Sequence, residues 1–334
     1  MSTFSLANGR AFRVGFLLID GFSLLTYSSA IEPLRAANQL AEQNLYEIWN
    51  IPAQGARARA SCGALIPANA HVGERVGFDW VLVVASSDTI DAKQPRLLDW
   101  LRQLAHRKVI LGGLAAGPLM LARAGLMRNR TMTLHWAFHE TLRETHPELN
   151  VEQQLFVIDD GRVTCAGGTA PVDMMNAILT VQHGPEFALK ISDWFSCTNV
   201  RVAESAQRSG IAQRYRMTNV DVTTTIELME SHIDDPLDLQ QLSSMSTVSE
   251  RQLNRLFQQH LGVGTMGFYR QLRLQRSHQL LTQSTLSIAG IGAATGFNNS
   301  AHFSRSFKDL YKRTPSEVRH ACQSVTPRNG LSKR

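Results

Sequence analysis

The sequence contains few cysteines and no long apolar run. Its four cysteines, Cys62, Cys165, Cys197 and Cys322, are scattered, and no two form a Cys-x-x-Cys pair. We therefore predict neither a disulfide framework nor a metal site, and we expect no cofactor. No basic segment followed by an apolar one opens the chain, and no stretch is apolar enough to span a bilayer. We expect a cytoplasmic protein without a membrane partner.

Acidic side chains are scarce near the C-terminal end of the chain, over residues 246–320. Residues 1–200 carry seventeen basic and eighteen acidic side chains, whereas residues 246–320 carry ten basic and three acidic ones. The formal net charge of +6 is therefore concentrated towards the C-terminus. Basic groups there would neutralise phosphates and release counterions, so this distribution favours a nucleic-acid partner.

Two amphipathic segments in this basic region repeat after fifty residues. In the first, Leu253, Leu256 and Phe257 share one helical face; in the second, Phe303 and Phe307 do so. The opposite face of each segment is polar and basic. One face can therefore pack against a core while the other remains free to bind a partner.

The residues before each segment indicate a helix-turn-helix unit. Ser249 is well placed as an N-cap in the first unit, and Gly296 can adopt positive φ at the turn of the second. A helix predicted over residues 265–282 would join the two units and fix their spacing. Two exposed helices in fixed register suit adjacent major grooves on one face of B-DNA, about 34 Å apart.

Short motifs are spread over the whole of this region, at residues 251–257, 272–274, 296–297, 301–307 and 314–319. Through them, residues 221–320 resemble the two-repeat DNA-binding domain of AraC/XylS-type transcription regulators. Two positions depart from the family pattern. Gly264-Thr265 replaces the usual Ser-Pro after the first unit, and Lys312 replaces the usual glycine in the second. Both departures lie in turns outside the recognition helices.

The resemblance implies that the polar faces of the two recognition helices meet base edges. Arginine suits the O6/N7 pair of guanine and asparagine the N6/N7 pair of adenine, although each of these side chains can instead bind phosphate. The residues expected at the DNA are Arg251, Asn254, Arg255, Ser300, His302, Ser304, Arg305 and Lys308.

The N-terminal half alternates apolar runs with helical patterns. Strands are predicted over residues 12–19, 80–85 and 109–111, and helices over residues 28–43 and 95–106. Such alternation predicts an α/β fold with a doubly wound parallel sheet of the flavodoxin-like kind. A ligand site is expected at the carboxyl ends of its strands.

One strand-to-helix turn in this half carries the frame Gly113-Leu-Ala115-Ala-Gly117. Enzymes of the α/β class use Gly-x-nucleophile-x-Gly at such a turn to hold serine or cysteine in an exposed position. Here the middle residue is Ala115, and a methyl group cannot attack a carbonyl. His135 follows twenty residues later, where a catalytic base could lie. Without a nucleophile, we predict a domain that is not an enzyme.

A second series of motifs covers this half, at residues 21–22, 30–38, 113–117, 124–126, 135–136, 164–168 and 173. It makes residues 12–184 resemble the PfpI-type, class I glutamine amidotransferase-like fold. The version most similar is fused to an AraC-type domain in regulators of amino-acid and quaternary-amine catabolism, which include arginine, carnitine and glycine-betaine sensors. In catalytic relatives the turn carries cysteine, supported by glutamate and histidine. The sequence matches at Glu32 and His135 and departs at Ala115.

The residues of this pocket favour a small zwitterion. Glu32 could accept hydrogen bonds from an ammonium or guanidinium group, and Trp136 could lie over a cation. Backbone N–H groups after Gly117 could receive a carboxylate. Alternatively, Glu32 is solvated on its helix, and Trp136 is a core residue. The predicted ligand site consists of Glu32, Ala115, Ala116, His135 and Trp136.

These patterns predict four segments: a sensing and dimerisation domain over 1–195, a linker over 196–218, a DNA-binding domain over 219–321 and a disordered tail over 322–334. We expect a homodimeric, ligand-responsive activator of catabolic genes that works with RNA polymerase on promoter DNA. One alternative is a PfpI-like amidase or hydratase with a nucleophile elsewhere, such as Cys165, fused to a DNA-binding domain. Another is an architectural DNA binder that senses no ligand.

Overall fold

The computed structural model describes residues 10–86, 94–284 and 286–324, apart from the side chains of Glu140 and of residues 322–324. The chain divides into two compact units, the first ending at Gln207 and the second beginning at Arg208. Within the described ranges, each helix is too short or too polar to cross a membrane.

The first unit contains the strands. They are β1 (Phe12–Leu18), β2 (Tyr46–Pro52), β3 (Arg57–Arg59), β4 (Leu65–Pro67), β5 (Trp80–Ala85), β6 (Ile110–Ala115), β7 (Thr131–Met132), β8 (Asn150–Val151), β9 (Phe156–Asp159) and β10 (Arg162–Cys165). The main sheet has the order β2-β1-β5-β6-β10-β9, and all neighbours are parallel except β9 and β10. Asp160 and Gly161, both with positive φ, form the tight turn that reverses the chain between these two strands. The α/β prediction is confirmed, with an antiparallel edge.

Helices cover both faces of this sheet. They are α1 (Leu24–Ala41), α2 (Pro95–His106), α3 (Gly117–Arg123), α4 (Trp136–Thr145), α5 (Ala170–His183) and α6 (Pro185–Trp194). Side chains of a strand alternate between faces, so Phe16 and Leu18 join the core beneath α1, α5 and α6. Leu17 and Ile19 join the core beneath α2, α3 and α4. The carboxyl end of β6 leads directly into the turn at Ala115.

The second unit is helical in the part of the chain that the structure describes. Its helices are α7 (Ile211–Arg214), α8 (Val220–Ser231), α9 (Leu239–Ser246), α10 (Glu250–Leu261), α11 (Thr265–Gln283), α12 (Ile288–Ala294), α13 (Ser300–Tyr311) and α14 (Pro315–Ser324). One core contains Phe257 with Phe268 and Leu272 of α11, and a second contains Phe307 with Leu274 and Leu280 of α11. Helix α11, about 28 Å long at 1.5 Å per residue, therefore belongs to both cores.

Residues 196–218, predicted as a linker, are divided between the two units. Before the boundary, the Leu155 N–H donates to the Ala203 carbonyl at 2.7 Å. After it, Met217 is buried, and Arg214 makes a two-pronged ion pair with Glu230 at 2.8 Å. The polar composition that predicts a linker does not reveal these pairs, because each joins residues distant along the chain. In the predicted tail, α14 extends to Ser324, and residues 325–334 lie outside the described residues.

Candidate ligand site and DNA-binding surface

The turn at Ala115 has the backbone shape that an exposed nucleophile would require. Ala115 has a φ of +57°, a left-handed conformation that is unusual for alanine. A Cβ at Gly113 would lie 2.4 Å from the Pro118 nitrogen, and one at Gly117 would lie 2.1 Å from the Val83 carbonyl oxygen. The packing therefore requires both glycines of the frame, although the residue between them has only a methyl group.

Thr26 of α1 and Gly167 lie beside this turn. A Cβ at Gly167 would be 2.7 Å from the Ala115 Cβ and 3.1 Å from the Thr26 hydroxyl. That hydroxyl also accepts a hydrogen bond from the Gly168 N–H at 2.8 Å. The polar α1 side chain at the turn is thus the hydroxyl of Thr26, whose position the sequence did not reveal.

His135 is held beside the turn, and its side chain caps α4. The backbone N–H of His135 donates to the Ala115 carbonyl at 3.2 Å. Its ring Nδ1 accepts the Ala137 N–H at 3.3 Å at the start of α4. Its ring lies 5.3 Å from Trp136 and 6.0 Å from Phe138, measured between ring centroids. Burial, with a smaller contribution from His139, lowers the pKa of His135, which favours the neutral ring.

The start of α3 offers fewer donors than the sequence suggests. The Ala116 N–H donates to the Ala85 carbonyl at 3.2 Å, and the Leu119 N–H donates to Ala116 at 3.1 Å. Pro118 has no N–H. Of the backbone groups after Gly117 that were predicted to receive a carboxylate, the Leu119 N–H is therefore occupied, and Pro118 offers none.

The cysteine suggested as an alternative nucleophile is inaccessible in this fold. The Cys165 side chain is fully buried at the end of β10. Burial raises the pKa of its thiol to about 12, so the thiolate that would attack a substrate is not formed near neutral pH. These properties argue against Cys165 as the nucleophile of the amidase or hydratase alternative.

Glu32 lies away from the turn and lines a separate cavity of about 390 Å³. Its carboxylate pairs with Arg35, one turn along α1, at 2.7 Å. The cavity lies between α1, α5 and residues 195–201, and neither Ala115 nor His135 lines it. Of the residues predicted at the ligand site, Glu32 alone lines this cavity.

A buried ion pair forms one wall of this cavity. Asp173 is only 3% exposed, and its carboxylate accepts hydrogen bonds from Nε of Arg201 at 3.0 Å and from Nη2 at 2.6 Å. The backbone N–H of Arg201 donates to the same carboxylate at 2.8 Å. Nη2 also donates to the Thr169 hydroxyl at 3.0 Å. Charge and hydrogen bonds thus fix Arg201 against α5.

The second unit has the two-faced helices that the sequence predicts. Ser249 caps α10 by accepting the Gln252 N–H, and Asn299 caps α13 by accepting the N–H groups of Ala301 and His302. Apolar side chains of both helices are buried, whereas the opposite face of each carries exposed polar and basic groups. The exposed residues are Arg251, Arg255, Ser300, His302, Arg305 and Lys308, and Ser304 is half-buried.

Asn254, the remaining residue predicted at the DNA, has an internal partner. Its Oδ1 accepts the Thr265 N–H at 3.0 Å, at the first residue of α11. The N-cap position of this helix is Gly264, which has no side chain to cap it. The sequence contained a signal for this contact. Thr265 has a backbone N–H that needs a partner, whereas the proline usual at this position in the family has none.

Part of the basic charge also has a structural role. Arg273 donates from Nε to the Thr295 carbonyl at 2.8 Å and from Nη2 to the Gly296 carbonyl at 2.6 Å. Its guanidinium lies 4.2 Å from the ring centroid of Phe297. Arg273 therefore holds the turn of the second helix-turn-helix unit rather than lying free on the surface.

Two protein families match the chain, one for each half. The DJ-1/PfpI family matches residues 12–181, and a helix-turn-helix domain matches residues 242–321. The HTH-type transcriptional regulator GlxA of Rhizobium meliloti is 39% identical over 92% of this chain and 95% of its own length. The regulator CdhR of Pseudomonas aeruginosa is 38% identical over 91% of this chain and 90% of its own length.

A solved structure supports the fold of the first unit. An AraC family transcriptional regulator from Pseudomonas putida is 23% identical, with a TM-score of 0.51 over 55% of this chain and 99% of its own. The sequence relatives extend over both halves and are transcription regulators, which excludes the enzyme alternative. The chain belongs to the AraC-type helix-turn-helix transcription regulators with an N-terminal DJ-1/PfpI domain, and it is a DNA-binding regulator, not an enzyme.

Proposed function

We propose that the first unit binds a small nitrogenous metabolite, an amino acid or a quaternary amine, and thereby controls the DNA binding of the second. The observation that supports this most strongly is the turn at Ala115. It keeps a left-handed residue, at a cost of about 1 kcal/mol, between two glycines that have no room for a side chain. A reactive-site geometry kept without a reactive group favours a domain that binds and does not react.

Control of DNA binding requires the metabolite to have different affinities for the two forms of the protein. A ligand that binds both forms equally shifts no equilibrium, however tightly it binds. In this proposal residues 1–195 sense the metabolite and form the homodimer, residues 196–218 connect, and residues 219–321 bind promoter DNA. Bound regulator then activates catabolic genes through RNA polymerase.

Thermal unfolding of the full chain against a panel of compounds tests the sensing step. The panel contains amino acids, betaines, carnitine and polyamines. A ligand at one hundred times its Kd stabilises the folded protein by about 2.7 kcal/mol, which raises the unfolding midpoint. Each compound that stabilises the protein is then added to a titration of promoter DNA. A stabilising compound that leaves DNA affinity unchanged contradicts the proposed coupling.

A further inference from the structure

We propose that the cavity between α1, α5 and residues 195–201 is the effector site, and that its ligand carries both a cationic group and a carboxylate. This inference rests on the proposed sensing function and assigns it to a site away from the turn at Ala115. The cavity volume of about 390 Å³ lies within the range of about 300 to 1,000 Å³ that is typical of small-molecule sites.

Opposite charges line this cavity. Glu32 uses Oε2 to pair with Arg35, and its other carboxylate oxygen accepts no hydrogen bond from the described residues. Arg201 uses Nε and Nη2 to hold Asp173 and Thr169, while its Nη1 donates no hydrogen bond to the described residues. The cavity therefore offers a carboxylate for a cationic group and guanidinium hydrogens for a carboxylate.

The remaining wall fits the carbon skeleton of such a ligand. Phe195, which is half-buried, also lines the cavity. An aromatic ring gains apolar contact with methyl or methylene groups and attracts a quaternary or primary ammonium. Together these groups distinguish a zwitterion from a simple cation or a simple anion.

The cavity also contacts the segment that leads into the DNA-binding unit. Residues 195–207 end at the boundary between the units. They are fastened to the first unit by the Arg201–Asp173 pair, by the Ala203 carbonyl, and by Gln207, whose Nε2 donates to the Gln154 carbonyl at 2.6 Å. A ligand that bonds to Arg201 changes the forces on this segment directly. Occupancy of the cavity is thereby coupled to the connection with the second unit.

A thiol in the cavity gives a local measure of occupancy. Cys197 lines the cavity and is partly exposed, whereas Cys165 is buried. In a full chain with Cys62→Ser and Cys322→Ser, alkylation by iodoacetamide therefore reports on Cys197. L-arginine, L-carnitine and glycine betaine are the zwitterionic probes; choline and acetate are the matched compounds with one charged group each. We expect at least one zwitterion to slow alkylation by about tenfold near saturation, and choline and acetate to have much weaker effects.

Replacing Glu32 tests the charge pattern. Glu32→Gln should weaken binding of that zwitterion by about tenfold or more, since it removes the negative charge that attracts the cationic group and, for L-arginine, weakens a charge-assisted hydrogen bond. Glu47→Gln is the matched control, because Glu47 forms a similar, partly exposed pair with Arg13 at 2.8 Å outside the cavity. The control should leave the affinity unchanged. Hydrogen exchange of residues 197–207 should change when the zwitterion binds.

The outcomes separate the site from the function. If a zwitterion raises the unfolding midpoint but neither protects Cys197 nor depends on Glu32, sensing stands and this cavity is not the site. If Cys197 is protected but exchange of residues 197–207 is unchanged, the coupling through the segment is wrong. If no member of the panel raises the midpoint or protects Cys197, the proposed function and the site fail together.

Discussion

Each recognition helix is followed by another helix, α11 after α10 and α14 after α13. These two following helices begin in different ways. In the first unit, α11 begins at Thr265, whose N–H is bound by the Asn254 side chain. In the second, α14 begins at Pro315, which has no N–H to satisfy. There, Thr314 and Glu317 instead exchange hydrogen bonds, with the Thr314 N–H donating to Glu317 at 2.7 Å and the Glu317 N–H donating to Thr314 at 3.3 Å. The first turns of the two helices therefore place different demands on their side chains, and different side chains meet them.

The two units also differ in which of their two left-handed positions carries glycine. The first unit has Thr247 at its turn, with φ +60°, and Gly262 after the recognition helix, with φ +70°. The second has Gly296 at its turn, with φ +71°, and Lys312 after the recognition helix, with φ +58°. Each unit therefore has a glycine at one left-handed position and a more strained residue at the other. The two units therefore share left-handed backbone conformations at these positions, but different residue types adopt them.

Among the substitutions that test this comparison, Gly296→Ala should change the free energy of unfolding most. A Cβ there would lie 2.6 Å from Pro236 and 2.9 Å from the Ile233 carbonyl oxygen, whereas the space around Gly262 is open. We expect Gly296→Ala to lower the free energy of unfolding by about 3 kcal/mol and Gly262→Ala by about 1 kcal/mol.

Urea unfolding of the full chain can measure this difference. All five tryptophans lie in the first unit, so their fluorescence follows that unit alone. Far-UV circular dichroism also follows the helices of the second unit. Equal losses for the two alanine variants would show that conformation alone, without the contact to Pro236, decides the cost.

The equivalent arginines of the recognition helices test whether both units read bases. Arg255→Ala and Arg305→Ala should each weaken binding to a selected DNA site by about 1 to 3 kcal/mol if they contact base edges. Affinity for the selected site and for an unrelated duplex is measured by titration at fixed salt. Equal weakening on both duplexes would assign the arginine to phosphate, and an effect in one unit only would show unequal use of the repeat.

Asn254→Ala should leave the Thr265 N–H without its partner and cost about 1 to 2 kcal/mol of stability. Ser304→Ala, at the equivalent position of the second unit, is the control and should cost less than about 0.5 kcal/mol. Adding Thr265→Pro removes the N–H and should make the loss of Asn254 nearly neutral.

DNA binding by the double variant then separates the two roles of Asn254. If the variant with Asn254→Ala and Thr265→Pro binds the selected site as tightly as the wild type, the asparagine only supports α11. A specific loss of affinity in that variant would restore Asn254 as a base-reading residue. Urea unfolding and DNA titration of the same samples provide both measurements.

Lys312→Gly should produce the smallest change, and it should be stabilising. Glycine relieves the left-handed strain at φ +58° but raises the entropy of the unfolded chain and removes the bond from Lys312 Nζ to the Asp309 carbonyl. The balance is about 0.5 to 1 kcal/mol in favour of the variant. Gly262→Lys is the reverse change. A destabilised Lys312→Gly would mean that the lysine side chain contributes more than its backbone costs.

Features with strong local signals could be predicted closely from the sequence. Helix α2 has the predicted bounds, 95–106, because its leucines repeat at helical spacing and a proline begins it. The N-cap at Ser249 and the positive φ at Gly296 are confirmed for the same reason. In each case the residues that determine the structure are neighbours along the chain.

The surroundings of the Ala115 turn and of the cavity could not be predicted as well, because they depend on residues that meet only in the fold. Helix α1 begins at Leu24, earlier than predicted, which places Thr26 beside the Ala115 turn. Glu32 lies six residues further on, about 9 Å along the helix axis. The ion pair between Asp173 and Arg201 joins residues from α5 and a segment whose composition predicts only a linker.

The unequal recognition faces give the regulator's target a direction. Helix α10 displays Arg251 and Arg255, whereas α13 displays Ser300, His302 and Arg305. If both helices read bases, as predicted, one chain binds two half-sites of different sequence. Inverting such a target between the same flanking sequences would reverse the order in which the half-sites face the transcription start. Reporter genes that differ only in this inversion should therefore differ in output.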